Sequence, residues 1–103
     1  MSENPKVKLT VLKVPRPEEV FDKMPLTLRY NGPCPYLKVG QEFIVDSESK
    51  PEGLCDFAWN ALWPYVMTIR RGGDFLDMYE EAGKGLGCCP DAVRPVAFLM
   101  ERF

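Results

Sequence analysis

Histidine is absent from the 103 residues of this chain. Its absence removes the commonest general base at neutral pH, the usual nitrogen ligand of zinc, and one half of any Ser-His or Cys-His nucleophile pair. Mechanisms of those kinds would need a histidine from a partner. A basic excess is also lacking, because 13 Lys and Arg face 15 Asp and Glu, giving a formal charge of -2. No domain-wide field attracts a phosphate backbone, so no nucleic-acid partner is expected. No stretch approaches the roughly 20 apolar residues of a membrane span, and residues 1–8 lack the apolar centre of a signal peptide. The expectation is a cytoplasmic chain with no membrane partner. Cys-x-x-Cys pairs, internal repeats and low-complexity tracts are missing as well.

What is present suffices for one core. Hydrophobic residues make up 46% of the chain, which can offset the ordering entropy of one domain without a metal or disulfide staple. A single domain over residues 1–103 is expected, with residues 1–5 a flexible N-terminus.

Val7, Leu9 and Val11 alternate with Lys8 and Thr10, which predicts a half-buried strand over 6–13. Pro17-Glu18-Glu19 suits the first turn of a short helix that ends by Pro25. The run Asn31-Gly32-Pro33-Cys34-Pro35 reads as a rigid loop presenting Cys34, with Tyr36 and Leu37 anchoring it in the core. A second strand follows over 40–46. Cys55, Ala58, Trp59, Leu62, Val66 and Ile69 then recur at helical spacing, marking the main helix over 56–71, stopped by Gly72-Gly73. Pro64 lies inside it and predicts a kink or a division into two helices. Residues 74–81 read as a turn carrying Phe75, Leu76 and Met78 inward, and 82–85 as a flexible stretch. Residues 86–89 and 95–103 read as a closing hairpin, with Val96, Phe98 and Met100 on one face. These elements predict an α+β fold, a mainly antiparallel sheet of about four strands packed on one kinked helix.

Pro33-Cys34-Pro35, Gly40-Gln41-Glu42-Phe43, Cys55 with Ala58-Trp59, Gly72-Gly73-Asp74-Phe75, Cys88-Cys89 and Arg94-Pro95-Val96 follow one another along nearly the whole chain. In these motifs the chain resembles a family of small, uncharacterised prokaryotic proteins. The resemblance implies no activity. It departs at Asp91-Ala92, where that family often has Asp-Gly. Alanine resists positive φ, so a longer loop built on a type I turn is expected in place of a type I′ turn.

The chemistry centres on Cys34, Cys55, Cys88 and Cys89. A reducing compartment disfavours disulfides, leaving free thiols, ligands or reactive groups. Four cysteines match the ligand count of a zinc, iron or iron–sulfur site held by thiolates, and a cysteine-dependent metal-binding or redox accessory protein is the leading expectation. The spacing adds nothing to it. Gaps of 21, 33 and 1 positions are unlike zinc ribbons or ferredoxins, and adjacent Cys88 and Cys89 point to opposite faces of a strand. A second reading makes Cys55 a reactive thiol at the start of the main helix, with Asp91 and Arg94 as companions at a catalytic site. A third makes the cysteines small buried hydrophobes of a non-catalytic domain, which binds a small molecule or protein partner around Trp59, Trp63 and Tyr65. Arg70-Arg71-Gly72-Gly73-Asp74 reads as helix capping before anion binding, and Asp91 with Arg94 as a local pair holding a turn.

Overall fold

The computed structural model describes residues 5–103, with the elements β1 (Val7–Lys13), α1 (Pro17–Val20), β2 (Glu42–Val45), α2 (Asp56–Arg70), β3 (Lys84–Cys88) and β4 (Ala97–Arg102). The strands form one antiparallel sheet in the order β2-β1-β4-β3. The last strand is therefore central. Of the expected flexible N-terminus, residues 1–4 lie outside the described residues, while the Pro5 carbonyl accepts a hydrogen bond from Arg70 Nε at 3.0 Å.

Alternation along the strands puts Val7, Leu9, Val11, Phe43, Val45, Phe98 and Met100 on the buried face. Across from them α2 buries Ala58, Leu62, Val66 and Ile69, the expected stripe, together with Met67. This helix packs on β1, β3 and β4. Leu37 and Leu54, from the segments before and after β2, complete the same core. The opposite face of the sheet carries no helix, and its polar residues pair across strands: Lys8 lies 3.9 Å from Glu42 and 4.0 Å from Glu101, and Lys84 lies 3.2 Å from Glu101.

Helix α2 runs through Pro64 as one element, so the expected division into two helices does not occur. Its end is a Schellman motif: Gly73 N–H donates to the Thr68 carbonyl at 2.8 Å and Gly72 N–H to the Ile69 carbonyl at 3.1 Å. Gly72 has φ of +96°, and a Cβ at Gly73 would sit 2.6 Å from Thr68 Cγ2, so the motif needs both glycines.

Three expectations are corrected. Tyr36 is 75% exposed and only Leu37 anchors the cysteine loop. Leu76 and Met78 face solvent, leaving Phe75 alone packed against the core. The stretch expected to be flexible begins β3 instead, because Gly85 and Gly87 lie under α2: a Cβ on Gly87 would meet Leu62 Cδ2 at 2.6 Å. The β3–β4 loop is closed by Cys89 N–H donating to the Val96 carbonyl at 3.1 Å. No residue of the loop has positive φ, as expected from Ala92.

Candidate functional site

The four cysteines are free thiols in separate surroundings. Cys34 and Cys55 are half-buried against the core, Cys88 is exposed on the open face of β3, and Cys89 is buried. Among the described residues no group of three or more Cys, Asp and Glu is gathered so as to hold a metal ion. The four cysteines expected as ligands of zinc, iron or a cluster belong to a loop, the N-cap of α2, β3 and the β3–β4 loop, and are not gathered into one such group among the described residues. Cys89 has a structural task. Its Sγ accepts the Val96 N–H at 3.3 Å and lies 3.8 Å from the Arg94 carbonyl, spanning the β3–β4 loop.

Cys55 is the N-cap of α2, and its side chain makes no capping hydrogen bond. It lines a surface cleft of about 330 Å³ with Tyr36, Lys50, Gly53 and Leu54. The Lys50 ammonium is engaged by Asp56 at 2.6 Å. Asp91 and Arg94, the expected companions, do not line this cleft. Asp91 Oδ1 accepts the Val93 and Arg94 N–H groups at 2.9 and 3.1 Å, and its other oxygen lies 3.4 Å from Arg94 Nε. The Arg94 guanidinium also stacks over the Tyr30 ring, 4.1 Å from its centroid, which ties the loop to the irregular segment before β2.

The arginine run at the end of α2 is likewise occupied. Arg70 holds the Pro5 and Asp46 carbonyls and Arg71 pairs with Glu48 at 3.0 Å. Arg102, which the sequence did not single out, donates to the Ile69 and Gly73 carbonyls at 2.9 and 2.8 Å and to Asp74 at 3.2 Å. It adds a second donor to the Ile69 carbonyl, which already accepts the Gly72 N–H, and satisfies the Gly73 carbonyl just beyond the helix. Asp74 in turn accepts the Gly83 N–H at 2.6 Å and so fixes the start of β3.

Of the three aromatics expected to form a binding region, Trp63 donates its Nε1–H to the Glu48 carbonyl at 3.1 Å, and Trp59 packs on the core. Tyr65 behaves differently. Half exposed, it lies 5.9 Å from the Phe75 ring at a tilt of 54°. The two rings, with Met78, Tyr79, Gly85, Leu86 and Met100, line a small pocket of about 60 Å³ that is almost wholly apolar. Met78 on its rim is 66% exposed, and Leu86 borders it through the strand while its side chain lies on the open face of the sheet. A second, more polar cleft of about 270 Å³ lies between α1 and Tyr30 and includes Glu18 and Asp22. The Glu18 carboxyl is held below the ordinary glutamate range by its hydrogen bond and ion pair with Arg16 at 2.7 Å.

No protein-family model, curated protein or solved structure matches this chain. Among the described residues no helix is long and apolar enough to cross a membrane.

Proposed function

We propose that the chain is a non-catalytic binding domain that takes an apolar group of a ligand or protein partner into the Tyr65–Phe75 pocket. The observation that carries this reading is a small, concave, almost wholly apolar site rimmed by exposed Tyr65 and Met78, of a size for one apolar side chain. Elsewhere the groups with chemical potential already have structural tasks: Asp91 and Arg94 hold a loop, Arg70 and Arg102 hold carbonyls, and Cys89 spans a turn. The likeness to small prokaryotic proteins belongs to the same proposal and brings no activity with it.

Methyl-detected NMR of the Met78 and Met100 signals during titration with apolar peptides tests the reading. Shifts confined to these methyls and to Tyr65, abolished by Tyr65→Ser, are the expected result. Shifts elsewhere, or none, overturn it.

A second reading keeps Cys55 as a reactive thiol, favoured by its place in a cleft at the start of α2. Alkylation by iodoacetamide with mass-spectrometric readout decides it. Cys55 reacting faster than the more exposed Cys88 supports a thiol function, and an order that follows exposure removes it.

A further inference from the structure

Strand β3 forms one edge of the sheet. Arg102 N–H donates to the Gly83 carbonyl and Cys89 N–H to the Val96 carbonyl, at 2.8 and 3.1 Å. Between these two bonds the register runs in step, with Gly85 opposite Met100 and Gly87 opposite Phe98. Antiparallel pairs alternate between bonded and non-bonded, so residues 83, 85, 87 and 89 turn their backbone groups toward β4. Lys84, Leu86 and Cys88 consequently turn their N–H and C=O groups outward. Among the described residues these outward groups have no backbone partner.

The apolar pocket lies at this same edge, since Gly85 and Leu86 belong to its lining. On the helix side β3 presents only Gly85 and Gly87, which leaves the edge open above Tyr65 and Phe75. The segment bordering the pocket is acidic: Asp77, Glu80 and Glu81 are exposed, and none is in an ion pair among the described residues.

Resting on the binding-domain reading above, we infer that the partner is an extended peptide with an apolar anchor flanked by Lys or Arg, which joins the sheet as a fifth strand on β3. Its backbone bonds to Lys84, Leu86 and Cys88, its anchor enters the pocket, and its basic flanks meet the carboxylates of residues 77–81. Charge decides against a second copy of this chain as the occupant, because a two-fold pairing of β3 with itself would bring two acidic rims to one interface.

The test uses the full chain and a capped Lys-Lys-Val-Leu-Val-Lys-Lys peptide, with its Glu-flanked counterpart as control. Binding by the basic peptide should protect the Lys84, Leu86 and Cys88 amides from hydrogen exchange. Leu86→Pro removes an outward N–H that the fold does not use, and proline is tolerated at such edge positions. It should weaken binding at least tenfold while leaving the far-ultraviolet circular dichroism unchanged. Glu80→Lys with Glu81→Lys, which disturbs no described contact, should weaken it at least threefold and flatten its salt dependence. Pocket methyl shifts without amide protection would overturn strand addition while sparing the binding-domain reading. Equal affinity for the Glu-flanked peptide would overturn the basic partner, and a concentration-dependent dimer in sedimentation would put a second copy in its place. No perturbation of the pocket by either peptide or by any apolar one would overturn both readings.

Discussion

At one edge of the sheet, β2 turns outward only Glu42 and Ile44, and its ladder with β1 is broken where Gly40 N–H donates to the Val11 carbonyl while Val11 N–H donates to that of Gln41. Two residues opposite one, with Gly40 at φ of +89°, form a bulge. At the other edge, β3 turns outward three residues in regular register beside exposed Leu86 and Met78. Short length, a bulge and a charged residue are devices that blunt an edge against pairing. Both strands are short, at four and five residues, and each carries one charged residue; the bulge is found at the β2 edge alone. The two edges of one sheet therefore differ in regularity, and the regular one is the strand on which α2 packs.

The largest expected effect breaks that support. Leu62 is fully buried and meets Gly87 from the helix side, so Leu62→Ala should cost about 2–5 kcal/mol in urea unfolding. Amide exchange should accelerate in β3 well before β2, whose backbone α2 approaches less closely; uniform acceleration would show that the two edges share one stability. Next, Arg102→Met removes three hydrogen bonds that tie β4 and the start of β3 to the end of α2, with an expected loss of about 2 kcal/mol by the same measurement. Cys89→Ala deprives the Val96 N–H of its acceptor and should cost about 1 kcal/mol, whereas Cys88→Ala, on the exposed neighbour, should change stability by less than about 0.5 kcal/mol. Equal effects would show that the turn does not depend on the buried thiol. The smallest effect lies away from both edges. Because the folded-state pKa of Glu18 is lowered, its contribution is present above the unfolded pKa and fades as pH falls through the folded one. NMR titration should place its midpoint below the ordinary glutamate value of roughly 4.3, and Arg16→Ala should move it back up.

The sequence carried the parts of the fold that rest on periodicity. Val7, Leu9 and Val11 in β1, Phe98 and Met100 in β4, and Ala58, Leu62, Val66 and Ile69 in α2 all face the core as their spacing predicts. Residues 86–89 were legible as the first strand of the closing hairpin, but the start of β3 at Lys84 and Gly85 was not, because the glycines have no side chains to show a period and the strand conformation there follows from the packing under α2 and the ladder with β4. Arg102 was illegible for a similar reason: its partners lie 33 and 29 residues away. Tyr65 was legible as a binding candidate, but its neighbours Phe75 and Met78 sit in an aperiodic turn, and only the fold brings them beside β3. The cysteines suggested a shared centre through ligand count alone, and count carries no information about convergence.

The central place of β4 has a consequence for how the chain acquires this shape. β1 and β3 are joined only through a strand that is synthesised after both, and β1 pairs with it across more than eighty intervening positions. Until residues 97–102 are available, the apolar face of β1 lacks its main neighbour and β3 has no ladder to belong to. Sheet closure is thus a late event with a high loop-closure cost, which makes slow folding and a need for protection during synthesis the expected companions of this strand order.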